Sequence, residues 1–394
     1  MVNKKLDALT ALRFIAAAAI VTGHLSDHFP VAAPIAVFPW GYGVSFFFVL
    51  SGFILKYVYS DLSRPGAVRT FFVARIARIW PLHLAALAFF LAFVPSSIWL
   101  IQNSTGSRLN ILLAQIFLVQ SLVPKVSYVF SFNAVSWSIS TEMFFYLAFP
   151  FLLHKWDTTW RWKFAAVIVI AASILTITTM LPIAYGPANP SEVGAVPFGY
   201  MFPATRIVEF MLGMIAATAF QNIRPSGTAL KWTLLEIATI AALPVCYFLL
   251  SGAPAAIFGV GLSSTSWSMY ARTAACAPAF AVLILVFAFQ KGGISNLVSA
   301  RPLVLLGEAS YALYLVHYSL LIMLSVYQGW LPAFSQITYI ALYVSACIAA
   351  SFALWFLVEM PSRRAIKRLV AGHNRPSAAV GNQSYELPCG SSKY

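Results

Sequence analysis

Apolar stretches long enough to cross a lipid bilayer recur along the whole chain and constrain its fold more than any other feature. A transmembrane helix needs about 20 mostly apolar residues. The candidate segments are 8–26, 36–57, 71–94, 109–123, 136–153, 164–182, 206–221, 232–251, 273–290, 302–326 and 336–358. Only 9% of the 394 residues are charged, whereas a soluble domain carries roughly a quarter. We therefore expect an all-α polytopic membrane protein that is covered by lipid.

The basic residues lie mostly at the ends of the apolar segments. A formal net charge of +14 is compatible with nucleic-acid binding, but this placement is typical of the excess of Lys and Arg in cytoplasmic loops. The sequence contains no zinc-binding spacing, Walker-type loop or dinucleotide fingerprint. We expect membrane lipid as a partner, no nucleic acid and no metal.

The segment 109–123 decides the predicted topology. If every segment crossed from a cytoplasmic N-terminus, the basic residues at 155–163 and 363–368 would lie outside, against the charge rule. Segment 109–123 is short and contains two glutamines, so we interpret it as re-entrant or interfacial. About ten transmembrane helices then remain, and both termini are cytoplasmic.

Two regions are predicted on this basis. Residues 1–361 form the membrane domain, and the polar residues 362–394 form a disordered cytoplasmic tail. The predicted outer loops 95–135, 183–205 and 252–272 are long and rich in Ser, Gly, Pro and Asn, as substrate-facing loops often are.

Arg13 and His24 lie on one face of the first predicted helix. They are eleven residues apart, which is about 20° from three full turns, and roughly 16 Å separates them along the axis. Ionisable groups within a membrane span are costly and mark candidate functional sites. The alternative is that Arg13 extends to the interface and His24 caps a helix end.

Arg75 and Arg78 are one helical turn apart at the start of the third predicted helix. Two guanidinium groups on one face suit a phosphate or a pyrophosphate, which arginine holds through bidentate contacts. Ordinary anchoring of a helix end by positive charge is the alternative.

Glu142 is the sole acidic residue of the segment 136–153, near Trp137 and Ser138. A buried carboxylate can hold a histidine in the required tautomer, or can itself exchange a proton. A structural hydrogen bond to a neighbouring helix is the simpler alternative. His317, which is predicted at mid-membrane, belongs either to the core or to a polar tunnel.

Arg206 and Glu209 are three residues apart and can pair with each other. Glu359 can likewise pair locally with Arg363. Neither pair requires a ligand to explain it.

Together these motifs resemble the membrane acyltransferase-3 family, from residue 6 to about residue 364. The elements that carry the resemblance are Arg13-x10-His24, FFFVLSGFIL at 46–55, Arg75-x-x-Arg78, WSISTEMFFY with Glu142, Arg206-x-x-Glu209 with Gly213, SYALYLVH with His317, and Glu359-x-Pro361. The family transfers acetyl groups to bacterial polysaccharides and related acceptors.

The resemblance implies an acyl-CoA-dependent O-acyltransferase of the bacterial cytoplasmic membrane. Acetyl-CoA, or another acyl-CoA, is the implied donor, and a hydroxyl of a cell-surface or exported carbohydrate is the implied acceptor. Arg13, Arg75 and Arg78 are then expected to bind the donor. His24 is expected to act as general base, with Glu142 orienting or charging it. A covalent acyl-His24 intermediate is a second route.

Further candidates for contact with substrate or oxyanion are Ser138, Tyr146, Trp137, His317 and Arg206. A transporter or exporter of a lipid-linked or acylated glycan is the rival function, and a non-catalytic scaffold for polysaccharide assembly is a third. Assembly proteins are therefore potential partners.

Overall fold

The computed structural model describes residues 5–29, 31–32, 41–102, 104, 106–181, 183, 190–251, 266–332 and 334–373. In these residues the regular structure is helical, apart from an isolated β-bridge between Lys125 and Val193. The helices are α1 (Asp7–His28), α2 (Gly41–Val58), α3 (Ala67–Phe93), α4 (Arg108–Ile116), α5 (Val126–Val129), α6 (Trp137–Leu153), α7 (Trp156–Met180), α8 (Pro203–Asn222), α9 (Ala229–Ser251), α10 (Ser266–Ala274), α11 (Ala277–Ala288), α12 (Gly293–Val298), α13 (Arg301–Tyr327), α14 (Gln336–Leu354) and α15 (Met360–His373). The predicted all-α fold is confirmed.

The long helices match the predicted crossings. Within the described residues, nine helical segments have the length and apolar composition needed to cross a membrane. They correspond to nine of the ten crossings expected from the sequence. The tenth, at 136–153, corresponds to α6, which has 17 residues and reaches the lower limit for a span. The polytopic architecture is therefore confirmed.

The segment 109–123 folds into pieces too short to cross a bilayer. Helix α4 has nine residues, and a 3-10 turn, Gln120–Leu122, follows it. The Gln115 side-chain amide donates to the carbonyls of Tyr128 and Ser131, and that of Gln120 donates to the Ser136 carbonyl. Non-helical backbone at membrane depth needs such internal partners. The two glutamines therefore satisfy the irregular backbone around them.

The structure differs from the sequence-based expectations in the predicted C-terminal tail and in one predicted outer loop. The disordered tail was predicted from residue 362, whereas α15 continues to His373. Strong helix formers occupy this segment, and α15 packs against α3. The remainder of the predicted tail, 374–394, lies outside the described residues. Of the predicted outer loop 252–272, residues 252–265 also lie outside them, and residues 266–272 belong to α10.

Glycines allow two close helix contacts that position the polar residues. A Cβ atom at Gly52 of α2 would stand 1.8 Å from the Phe210 carbonyl oxygen of α8. A Cβ atom at Gly213 of α8 would stand 1.8 Å from the Val49 carbonyl oxygen of α2. A Cβ atom at Gly307 of α13 would likewise stand 1.9 Å from the Thr10 carbonyl oxygen of α1. The backbones of α2 and α8, and of α1 and α13, therefore touch directly.

Candidate active site

A cavity of about 310 Å³ lies between α1, α2, α3, α6 and α13. Its polar lining comprises Thr10, Arg13, Ser51, Tyr57, Arg75, Arg78, Ser138, Glu142, Tyr146, Tyr311 and Tyr314. Its apolar lining includes Phe47, Phe48, Leu50 and Ile139. A mostly apolar pocket with a few convergent polar groups is the usual form of a small-molecule site. All three arginines predicted to bind the donor line this cavity.

Arg75 lies well inside α3 and is held by aromatic rings. The helix begins at Ala67, so Arg75 is about 12 Å along the axis, too far for a residue that merely anchors the helix end. Its guanidinium lies over the rings of Tyr59 and Tyr146, 5.4 Å and 5.9 Å from their centroids, and donates to the Tyr59 hydroxyl at 3.2 Å. The buried Nε of Arg75 has no hydrogen-bond partner, so the group retains donors for a ligand.

Arg13 and Arg78 bring two further guanidinium groups to the cavity. Neither makes a hydrogen bond or an ion pair within the described part of the chain, although their charges interact with each other and with those of Glu142 and Glu359. Each guanidinium carries five N–H donors. The cavity therefore has a positive end, which we call the arginine end, defined by Arg13, Arg75 and Arg78.

Glu142 occupies the wall of the cavity on α6. Its Oε1 accepts hydrogen bonds from the Ser51 hydroxyl at 2.9 Å and from the Tyr146 hydroxyl at 2.6 Å. Its charge interacts with those of Arg13 and Arg78. Glu142 thus belongs to the arginine end.

His24 of α1 contacts His317 of α13. Their rings stack at 5.3 Å between centroids, and His24 Nδ1 lies 3.0 Å from His317 Nε2. His317 Nδ1 lies 2.7 Å from the Tyr314 carbonyl oxygen, which can only accept. In the neutral pair, His317 therefore carries its hydrogen on Nδ1 and accepts at Nε2 from His24 Nδ1. This tautomer puts the basic lone pair of His24 on Nε2.

The structure gives His24 and Glu142, the two residues predicted to be catalytic, different contacts. Glu142 was expected to orient His24, but its Oε1 accepts from Ser51 and Tyr146, and His24 Nδ1 lies beside His317. Neither His24 nor His317 lines the cavity, whereas Phe47 and Tyr314, whose ring centroids are 6.2 Å apart, do. Tyr314 therefore contributes its ring to the cavity and its carbonyl to the histidine pair.

The other predicted contact residues divide into two groups. Ser138 and Tyr146 line the cavity, and the Ser138 hydroxyl lies 2.7 Å from that of Tyr314. Tyr146 donates its single hydrogen to Glu142. Because Tyr314 donates its own to the Val135 carbonyl, the Ser138 hydroxyl donates to the Tyr314 oxygen or to the Val135 carbonyl. Trp137 is buried against Phe48 and Tyr200 instead and does not line the cavity.

Arg206 is enclosed in the protein core. It has no exposed side-chain surface, and its Nε lies 2.6 Å from Glu209 Oε2. It also donates to the Tyr200 carbonyl and to the Thr273 hydroxyl. The predicted local pair is present, and Arg206 does not line the cavity.

Sequence reasoning missed Ser51 and Tyr314 as site residues. Ser51 precedes the close-packed Gly52 in the FFFVLSGFIL motif, so it lies where α2 passes Glu142. Tyr314 is one helical turn before His317 and donates its hydroxyl hydrogen to the Val135 carbonyl at 2.9 Å. Both residues could have been found from the sequence, because Ser51 lies within a motif and Tyr314 lies three residues before His317.

Comparison with known proteins points to one family. A family model described as an acyltransferase domain matches residues 6–358. The chain is 29% identical to Acyltransferase MdmB of Streptomyces mycarofaciens and covers 95% of both chains.

Two longer relatives also match. The chain is 25% identical to a Bacillus subtilis protein provisionally named peptidoglycan O-acetyltransferase YrhL and to O-acetyltransferase OatA of Staphylococcus aureus. The matches cover 92% and 91% of this chain but only 55% and 57% of those proteins. No solved structure matches the chain.

Proposed function

Because the chain belongs to the membrane acyltransferase family whose model covers residues 6–358, we propose that it moves an acetyl group from acyl-CoA to a hydroxyl of a cell-surface or exported carbohydrate. The observation that carries this proposal is the pairing of two sites on shared helices. Arginines with unused donors line a cavity, and α1 and α13, which also line that cavity, carry the His24–His317 pair.

The arginine end suits the phosphates of the donor. Arg75 and Arg78 offer planar, bidentate groups to a pyrophosphate, and Arg13 adds a third cation beside them. Arg13 and His24 are roughly 16 Å apart along α1. A pantetheine arm spans roughly 15–20 Å when extended, taking peptide-like bond lengths. A thioester anchored at the arginine end can therefore reach the level of His24.

His24 is the proposed general base. Its Nε2 takes the proton of the acceptor hydroxyl while that oxygen attacks the thioester carbonyl, and the proton then passes to the departing CoA sulfur. The C–S bond breaks, the C–O ester bond forms, and His24 returns to its neutral state. His317 holds Nδ1 of His24 throughout and stabilises the transient imidazolium. Ser138 is the proposed donor to the oxyanion, once its hydroxyl turns from Tyr314 to the substrate.

A covalent acyl-His24 intermediate is the second route for the same residues. His24 Nε2 then attacks the thioester first, CoA leaves, and the acceptor hydroxyl takes the acyl group in a second step. Reaction of the protein with labelled acetyl-CoA in the absence of acceptor separates the routes. Label bound to protein through His24 supports the covalent route, and its absence alongside normal turnover contradicts that route.

We propose the cytoplasmic membrane of a bacterium as the location, with the arginine end facing the cytoplasm. The relatives are bacterial, and the charge distribution gives the orientation. Cysteines introduced at Trp160 and Pro190, in a chain without its own cysteines, report the two sides. Labelling of position 160 only from outside the cell would contradict the orientation.

The enzyme and transporter functions are separated by one experiment. Purified protein in liposomes is given radiolabelled acetyl-CoA and a carbohydrate acceptor, and CoA release and acceptor labelling are measured. His24→Ala is expected to lower acyl transfer by about 10²–10⁴-fold with normal membrane levels. Transport of a glycan that persists in His24→Ala, without any CoA release by the unchanged protein, would contradict the enzyme proposal and support the exporter.

A further inference from the structure

Beyond the arginine end, a π-helical turn, Trp355–Glu359, joins α14 to α15. Such turns accommodate an extra residue in a helix and are frequent at functional sites. Both the turn and α15 pack against α3, the helix that carries Arg75 and Arg78. The side chain of Glu359 is only 4% exposed there. The turn therefore buries a carboxylate next to the cavity arginines.

Glu359 is incompletely paired by the protein. Its Oε1 lies 3.5 Å from the NH1 atom of Arg363, and its buried Oε2 has no hydrogen-bond partner. Its charge also interacts with those of Arg78 and Arg13. A buried charge needs nearby opposite charges, so Glu359 acts as a shared counter-ion that holds Arg363 beside the arginine end.

Arg363 extends the positive charge of the cavity outward. Its side chain is 47% exposed, and its charge interacts with those of Arg78 and Arg75. Its one polar contact among the described residues, with Glu359, is long, so most of its five N–H donors remain for a ligand. Arg364, the next residue, is also exposed but has no ion pair among the described residues.

We infer that Arg363 binds the 3′-phosphate of the CoA donor, while Arg75 and Arg78 hold its pyrophosphate. This inference rests on the proposed function and names the part of the donor that α15 recognises. A phosphate monoester carries a charge of about −1.5 to −2 near neutral pH, and it is the outermost charged group of CoA. Among the described residues, the four arginines Arg13, Arg75, Arg78 and Arg363 lie near Glu142, Glu359 and Glu308, and Glu308 also pairs with Lys5 at 3.7 Å. The region thus retains a net positive charge for more than one phosphate group.

The inference predicts selectivity between CoA and 3′-dephospho-CoA, which differ only in this phosphate. Binding of both is measured by calorimetry to the full-length protein in discs of zwitterionic lipid. The unchanged protein is expected to bind CoA at least about tenfold more tightly, as one charge-assisted contact allows. Arg363→Gln is expected to abolish that preference by lowering the affinity for CoA alone. Arg75→Gln is expected to lower the affinities for CoA and for 3′-dephospho-CoA equally.

Two further variants keep the test decisive. Arg364→Gln is the matched control and is expected to leave both affinities within about twofold. A general attraction of α15 for phosphate would instead involve both arginines and would lower the affinities in this variant as well. If Arg363→Gln does not fold, because Glu359 is left unpaired, the double variant Glu359→Gln with Arg363→Gln removes both charges together.

The possible outcomes separate the inference from the proposed function. Equal losses for CoA and 3′-dephospho-CoA in Arg363→Gln, or no preference in the unchanged protein, overturn the role of Arg363 alone. An effect of Arg363→Gln seen only in discs with anionic lipid assigns this arginine to a lipid headgroup and also overturns it. Binding of neither nucleotide by the folded, unchanged protein overturns the acyl-CoA donor itself.

Discussion

Two arginine–glutamate groups lie within this helix bundle, and their surroundings differ. Arg206 and Glu209 have no exposed side-chain surface and are bound to each other at 2.6 Å, while Ser45 also donates to Glu209. Arg13 and Arg78 line a cavity beside Glu142 without a direct partner in the described residues. Arg206, like Arg13 and Arg78, is a candidate site residue in the sequence before its contacts are known.

The difference shows that the contacts of a charged side chain indicate its role: a side chain paired within the protein is structural, and one left unpaired at a cavity can bind a ligand. A buried ion pair has a structural role, because removal of one partner leaves an uncompensated charge. A guanidinium that lines a cavity with unused donors can bind a ligand without first breaking a contact within the protein. Of the three predictions below, those on Glu209 and Arg75 test this contrast and the one on His317 tests the histidine pair, from the largest expected effect to the smallest.

Glu209→Ala is expected to destabilise the protein by about 3–5 kcal/mol, because Arg206 is left charged and buried. Thermal unfolding in detergent measures the change. Glu142→Ala is the matched comparison and is expected to cost less than half as much, since the arginines near Glu142 border a cavity. Equal destabilisation by the two substitutions would remove the contrast between the groups.

His317→Leu is expected to lower kcat by about 10²-fold, the upper range for loss of a residue that orients a reactive histidine. His317→Gln keeps an acceptor for His24 Nδ1 and is expected to lose tenfold or less. Steady-state kinetics with acetyl-CoA give kcat and KM separately, and KM for the donor is expected to stay constant in both variants. Identical losses in the two variants, or a change confined to KM, would contradict the orienting role.

Arg75→Ala is expected to raise KM for the donor by about 10–100-fold, because a charge-assisted contact contributes about 1.5–3 kcal/mol. Turnover at saturating donor and the unfolding temperature are expected to change little. Arg69→Ala, at an exposed position six residues earlier on α3, is the control and is expected to leave KM unchanged. A fall in turnover without a change in KM would place Arg75 outside the phosphate site.

The fold follows closely from the sequence. The ten predicted crossings correspond to nine long helices and α6, and the short segment around Gln115 does not cross. Hydrophobic length predicts spans because every backbone group must be satisfied inside the lipid. The helix α15 was missed because polar residues beyond the last crossing carry no hydrophobic signal, and its packing on α3 is a tertiary contact.

The candidate site was only partly predictable. The sequence singled out His24, Glu142 and the cavity arginines, because charges within apolar segments are costly and therefore conspicuous. It paired Glu142 with His24, whereas the structure pairs His317 with His24. Helical periodicity relates residues on one helix, but it contains no information on which helices touch.

The sequence by itself determined that this is an all-α membrane bundle with a small set of intramembrane charges, because the energy of transfer into lipid depends on composition alone. The tertiary structure decided which of those charges border a cavity and which pair with each other. It placed Arg75 and Arg78 in the cavity wall, Arg206 in the core, and His317 beside His24. The physical reason is helix packing: contacts such as Gly307 against Thr10 set the distance and rotation between helices, and these relate residues that are far apart in the chain.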